Sequence, residues 1–220
     1  MKGFTHTGPS HFPIAREGYP FIFASAFTTA ILALLGLTIL TLFFLVLTFF
    51  ICFFFRDPDR MTSRGLRGIV SPADGKVIAI SEAAQNPFDD QKRLKISIFM
   101  SIFDVHVNRI PYDGKVENII YHPGKFLSAN LDKASQENEH NAIKIRTEDN
   151  RSFWVVQIAG LIARRIICNI APGDTVSKGN RFGLICFGSR LDVYLPTDVR
   201  VAVSKGTQVR AGETILGDMP

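Results

Sequence analysis

The chain has 220 residues, 46% of them hydrophobic, and a formal net charge of +5 from 25 Lys and Arg against 20 Asp and Glu. Its mean hydropathy of +0.16 is high for a chain soluble throughout. The three cysteines lack metal-ligand spacing and suggest no disulfide framework, so a thiol-built metal site is not expected; the mild charge excess gives no reason to expect nucleic acid.

The hydropathy is concentrated near the N-terminus. From Phe21 to Phe55 there is no charged residue, and Phe and Leu dominate. A run of 18 or so apolar residues reads as a membrane segment. This one has 35, and as a straight helix would measure about 52 Å, well beyond a hydrocarbon core of about 30 Å. It therefore spans with tilt or overhang, or breaks near Gly36 into a tight hairpin. Its length, and the lack of a small-residue cleavage site after it, argue against a cleaved signal peptide. Arg56, Arg60, Arg64 and Arg67 follow the run, whereas only Lys2 and Arg16 precede it. The positive-inside rule then puts the C-terminal portion on the cytoplasmic side of the cell membrane. Residues 1–55 are read as the anchor and 56–220 as a separate domain. The domain's modest net charge of +4 reads as ordinary solubility, with attraction to anionic lipid as the alternative.

Beyond FRDPDR (Phe55–Arg60) the pattern is mainly β. Apolar, β-branched runs recur at 75–80, 94–103, 116–121, 142–145, 153–158, 166–170, 182–187, 191–195 and 199–203, separated by Gly, Pro, Asn and Asp. Residues 81–92 and 128–141 read as polar insertions, and 159–165 as a short helix or a further strand. Gly173-Asp-Thr-Val176-Ser-Lys-Gly179 is echoed by Gly206-Thr-Gln-Val209-Arg-Ala-Gly212, both G-x-x-V-x-x-G. Two copies are too few for a solenoid. They predict two related tight turns in a compact β-sandwich or barrel, similar in shape to lipoyl and biotinyl carrier domains.

ICFGSRLDV (Ile185–Val193) looks like one buried strand interrupted by Gly188-Ser189. Glycine in a strand marks a bulge or a close backbone approach. The G-x-S-x-G nucleophile elbow is absent, which speaks against an ordinary serine hydrolase. A Gly-Ser bond has another use: glycine lets the backbone bend so that the hydroxyl attacks the preceding carbonyl. An N-to-O shift and β-elimination then leave the new N-terminus as a pyruvoyl group. By residue type alone, Gly-Ser in a β protein is more often a turn or bulge. Asp74, in the turn of SPADG, and His106, in FMSIFDVHVNRIP, are the carboxylate and imidazole candidates. Taken singly they read as a turn residue and a hydrogen-bonded core histidine.

In this order, FRDPDR, SPADG, FMSIFDVHVNRIP, YHPGKF, ENEHN, GLIARRIIC and KGNRFGLICFGSR resemble the short form of the phosphatidylserine decarboxylase proenzyme family, from about Phe55 to Pro196. The resemblance implies that the chain cuts itself at Gly188-Ser189 into a large chain (1–188) and a small chain (189–220) that form a heterodimer. Ser189 becomes a covalent pyruvoyl group, which forms a Schiff base with the serine headgroup and acts as electron sink for loss of carbon dioxide. Asp74 matches the family aspartate and His106 a family histidine. Two positions depart from the family's pattern. Arg109 stands where long-form members carry a second histidine, and His140 where the family's NER-type segment has an arginine. Which group starts self-cleavage is therefore open between His106 serving both steps and a contribution from His122 or His140. Arg164 and Arg165 are candidate partners for the substrate phosphate, with a solvated surface pair as the alternative. The implied substrate is phosphatidylserine in the bilayer, and a homo-oligomer is compatible with the sequence. The competing functions are a membrane-tethered carrier or adaptor and a membrane-bound serine hydrolase; both predict an intact chain.

Overall fold

The computed structural model describes residues 13–62, 67–128, 137–161, 165–186 and 188–220. The chain forms two compact units, residues 1–59 and 60–220.

In the first unit a 3-10 turn (Arg16–Gly18) leads into helix α1 (Tyr19–Leu34), and helix α2 (Thr38–Phe54) returns beside it. The uncharged run is thus a hairpin that turns at Gly36, whose φ is +70°. Each helix is about 25 Å long at 1.5 Å per residue. The few hydroxyls are satisfied inside the hairpin. Thr28, Thr29, Thr41 and Thr48 each donate to the carbonyl four residues back. The hydroxyls of Ser25 and Thr48 meet between the helices at 2.8 Å. Phe23, Leu34 and Ile39 are among many large apolar side chains left exposed. The hairpin ends are tied where Ala15 N donates to Phe55 O and Asp57 N to Pro13 O. FRDPDR is therefore shared: its first residues close the hairpin, and Arg60 belongs to the second unit.

The second unit is mainly β. Its strands are β1 (Gly68–Val70), β2 (Gly75–Gln85), β3 (Lys92–Met100), β4 (Val107–Arg109), β5 (Gly114–His122), β6 (His140–Arg146) and β7 (Ser152–Ile158), then β8 (Ile166–Cys168), β9 (Thr175–Val176), β10 (Arg181–Ile185), β11 (Ser189–Leu195), β12 (Arg200–Val201), β13 (Gln208–Val209) and β14 (Ile215–Asp218). A curled eight-stranded sheet has the order β13-β2-β3-β11-β7-β6-β5-β9, and two three-stranded sheets have the orders β1-β14-β12 and β4-β10-β8. All pairings described between these strands are antiparallel. Most apolar runs of the sequence recur as the longer strands, but 166–170 and 199–203 shrink to the short β8 and β12. The short pieces β1, β4, β9, β13 and β14 have too few residues to show an alternation and escape a periodicity reading. Residues 81–85, expected in a polar insertion, continue β2 opposite Lys92–Lys95.

Period-2 alternation gives the large sheet two different faces. One carries Ile96, Ile98, Met100, Ile143, Val155, Leu191 and Val193 into the main core, where Ile69, Phe182 and Leu216 of the small sheets cover them. The other carries Trp154, Val156, Ile158 and Tyr194, packed against Phe88, and a buried polar cluster. There Arg190, 1% exposed, donates from Nε to Asp192 Oδ1 at 2.6 Å and from Nη2 to Ser97 Oγ at 2.8 Å.

The repeated G-x-x-V-x-x-G segments build the two edges of this sheet. Val176 lies in β9 and Val209 in β13, and the flanking glycines repeat the same backbone: φ +97° and +83° in the first copy, +97° and +78° in the second. The turns meet, because a Cβ on Gly212 would lie 3.8 Å from Gly179 Cα and 3.1 Å from Arg109 Cδ. Arg109 is buried there and donates to Gly179 O at 3.0 Å. Arg109 is thus packed between the two edge turns.

Candidate active site

ICFGSRLDV is two strands rather than one interrupted strand. β10 ends at Ile185 in a small sheet, and β11 starts at Ser189 in the middle of the large one. The chain changes sheets at Gly188, which has φ +57°, a left-handed conformation that a side chain disfavours. Ser189 is fully buried and lies opposite Met100 of β3. Its Oγ donates to Met100 Sδ at 3.3 Å.

A ladder of buried amides ends on the same sulfur. Asn141 Nδ2 of β6 donates to Gln157 Oε1 of β7 at 3.1 Å, and Gln157 Nε2 donates to Asn108 Oδ1 of β4 at 2.9 Å. With both oxygens used as acceptors, the amide of Asn108 is fixed with its NH2 toward Met100 Sδ, at 3.9 Å. The ladder crosses from the large sheet to a small one and points its last donor at the atom that holds Ser189.

His106 is fully buried just before β4, two residues from Asn108. Its Nδ1 lies 2.9 Å from Asp104 O. A carbonyl only accepts, so Nδ1 carries the proton and Nε2 is the basic nitrogen. Asp74, 8% exposed, sits immediately before Gly75 at the start of β2. Its carboxylate is gripped by Arg60 in a fork, Nη1–Oδ1 2.5 Å and Nη2–Oδ2 2.7 Å, and accepts Ala211 N at 2.7 Å. Because β2, β3 and β11 are consecutive in the sheet, Asp74, Met100 and Ser189 stand at the same end of three adjacent strands.

The ENEHN segment reaches this end from the other side. Ala159 N donates to Glu139 O, and His140 pairs with Ile158, which pairs with Arg190. His140 stacks on His122, ring centroids 4.9 Å apart, and its Nδ1 lies 2.8 Å from Asn138 O. Burial, together with the neighbouring His122, holds the His140 imidazole below its ordinary value. Arg165 is exposed, on the segment leading into β8. Arg164 lies outside the described residues. Gly188, Ser189, His106 and Asp74 are thus brought to one end of the sheet, while no hydrogen bond described links Ser189 to His106 or Asp74.

A sequence reading passes over Arg60, Met100, Asn108, Gln157 and Asn141. Arg60 and Asn108 lie within motifs that the sequence analysis quotes, FRDPDR and FMSIFDVHVNRIP, but their partnership with Asp74 and Gln157 is set by tertiary pairing. Among the described residues, no group of three or more His, Cys, Asp or Glu is placed to hold a metal ion.

A sequence model of the family described as phosphatidylserine decarboxylase matches residues 47–217. The chain belongs to this family. A phosphatidylserine decarboxylase proenzyme of Syntrophus aciditrophicus is 52% identical over 205 residues, 93% of this chain and 96% of the relative. Proenzymes of the same name from Geotalea uraniireducens and Desulfotalea psychrophila are each 51% identical over 94% of this chain and 97% of theirs. The family match covers the Gly188-Ser189 step, the amide ladder, His106 and the Arg60–Asp74 pair. It also takes in the end of α2, so the family's sequence pattern reaches into the apolar hairpin.

Proposed function

We propose that this protein decarboxylates phosphatidylserine to phosphatidylethanolamine, using a pyruvoyl group that it makes from its own Ser189. The observation that carries the reading is the Gly188-Ser189 step: a glycine in left-handed conformation directly before a fully buried serine that opens a central strand. In self-processing, Ser189 Oγ adds to the Gly188 carbonyl carbon and the Gly188–Ser189 C–N bond breaks, which leaves an ester and a free amine. Loss of the Ser189 Cα proton expels the Gly188 carboxylate. Water then replaces the amine, which departs as ammonia, and a ketone remains at residue 189.

The residues present suit such a group. The position is fully buried opposite Met100, and the fixed amide donor of Asn108 faces the same sulfur as Ser189 Oγ. When formed, the group supplies an electron sink for the carboxylate bond that breaks. His106 is the acid/base: its Nδ1 proton is committed to Asp104 O, which leaves Nε2 to take or deliver a proton at the substrate Cα. Asp74, gripped by Arg60, is assigned to processing rather than turnover. Arg165 is a candidate partner for the lipid phosphate, together with Arg164 from the sequence.

The small chain would stay in place after cleavage. β11 is paired along its length with β3 and along most of it with β7, and β13 and β14 pair with β2 and β1. Cleavage at residue 188 therefore yields a heterodimer held by whole strands. The α1–α2 hairpin is assigned to the membrane, and the arginines that follow it support a cytoplasmic second unit by the positive-inside rule. The hydrolase alternative finds less support, because the Ser189 hydroxyl is bonded to a thioether, which is no base. Purified protein should release carbon dioxide from phosphatidylserine and lose that activity on treatment with a carbonyl reagent. Activity that survives such treatment would exclude the pyruvoyl group.

A further inference from the structure

The two ends of the eight-stranded sheet differ in polarity. The Ser189 end is fixed by register: Ser189 faces Met100, Arg190 faces Ile158, Ile158 faces His140, and His140 faces His122. The chain that leaves these strand ends carries exposed apolar side chains. Phe103 follows β3 and is 65% exposed; Leu161 follows β7 and is 64% exposed. Phe126 follows β5, and Tyr121 lies in its last turnward residues; both are exposed as well. At the opposite end, around Leu195, Lys92 and Ser152, the surface depression is lined by polar groups such as Gln91, Asn150, Arg151, Thr197 and Asp198.

Phe103 is presented by a stiff turn. Asp104 Oδ2 accepts Ser101 N at 2.8 Å and Ser101 Oγ at 2.7 Å, and Asp104 N donates back to Ser101 O at 3.0 Å. Asp104 O also holds His106. One short segment therefore fixes both an outward aromatic ring and the inward imidazole of the site. Exposed apolar side chains gathered at one end of a domain mark a contact surface more than single exposed residues do.

We infer that this rim, with Phe103 at its tip and Leu161 and Phe126 beside it, seats in the interfacial layer of a phospholipid bilayer and sets the Ser189 end against the membrane surface. The inference rests on the proposed lipid substrate, whose headgroup lies at that layer while its acyl chains stay below it. Exposed Arg165 flanks the rim and complements the anionic headgroup, and Lys125, paired with Glu137 Oε2 at 3.1 Å, lies next to Phe126 in the chain. Aromatic rings favour this depth, because their apolar body is shielded while the backbone stays near water.

Two measurements on the full, processed chain test it. Trp154 is the protein's one tryptophan and is buried away from the rim, at 2% exposure. Phe103→Trp therefore adds a reporter at the tip. In vesicles of phosphatidylcholine and phosphatidylserine with brominated acyl chains, Phe103→Trp protein should show quenching that the wild type lacks. Phe103→Asp should still be cleaved and should act normally on a soluble short-chain phosphatidylserine, with activity on vesicles reduced about tenfold. No added quenching, or equal activity losses on the two substrates, would overturn the inference; so would a change of oligomeric state in Phe103→Asp with vesicle activity kept. A wild type inactive on both substrates would instead sink the decarboxylase reading, and the quenching result would still decide where the rim sits.

Discussion

Ser189 and Met100 oppose each other on β11 and β3, and the serine hydroxyl donates to the methionine sulfur at 3.3 Å. A thioether is a weak acceptor and cannot take the proton. The contact holds the hydroxyl in one place in the uncut chain without activating it. Met100→Leu conserves volume and should lower stability by no more than about 1.5 kcal/mol. Self-cleavage should be no slower than in the wild type, followed as the cleaved fraction on a denaturing gel over time. A block of cleavage would show that the sulfur aims the hydroxyl at the Gly188 carbonyl.

The Arg60–Asp74 fork separates processing from folding. Asp74→Asn keeps the shape but loses the charge, and should leave mainly uncleaved, folded chain. Arg60→Ala leaves the buried carboxylate with the Ala211 amide and without its guanidinium partner. It should cost about 3 kcal/mol of stability, the scale for breaking a buried pair. Thermal melts of both variants in a Ser189→Ala background compare the uncut states directly. If Arg60→Ala melts with the unsubstituted background, the fork contributes nothing to the fold.

His106 is expected to act at every turnover, whereas cleavage occurs once. His106→Ala should still be cleaved, with carbon dioxide release per cleaved molecule reduced about 100- to 10,000-fold. Both quantities are read on one sample, the cleaved fraction by gel and the gas by capture. A cleaved His106→Ala protein with wild-type turnover would make His106 a core histidine, and His122 and His140 would be tested next.

His140 predicts an acid-side loss of stability. Its ordinary value is 6.5, and burial with His122 alongside holds it lower in the folded protein. Asp192 opposes this shift, as does the hydrogen bond to Asn138. A lowered folded value means that the unfolded chain binds the proton more readily. The contribution is thus complete above 6.5 and is lost as pH falls through the folded value. Thermal melts from pH 8 to pH 5 should show a downward step below 6.5 that His140→Gln reduces. A step of the same size in His140→Gln would assign it to another group.

The sequence reading was strongest where segments are long. The uncharged run Phe21–Phe55 stood out by its length, although its break at Gly36 was left open, and strands such as 94–100 and 153–158 are long enough to be seen. It was weakest where pairing partners decide. A two-residue strand such as Gln208–Val209 has no period, and only the repeat of its glycines pointed to the turn. Ile185–Val193 read as one strand because both halves are apolar; Gly188 separates them into two sheets, and no local pattern states which sheet each joins. For the site, Gly188, Ser189, His106 and Asp74 stood out through motif order. Arg60, Asn108, Gln157 and Asn141 did not, because a buried fork or amide ladder depends on register between strands far apart in the chain.

The most direct measurement is the mass and N-terminus of the small chain from purified protein. Cleavage at Gly188-Ser189 predicts a chain of residues 189–220, 32 residues long. Its first residue should have lost the amine and gained a ketone, so that it resists Edman sequencing and reacts with a carbonyl reagent. A single intact chain from active protein, or a small chain that begins with an ordinary serine, would contradict the account.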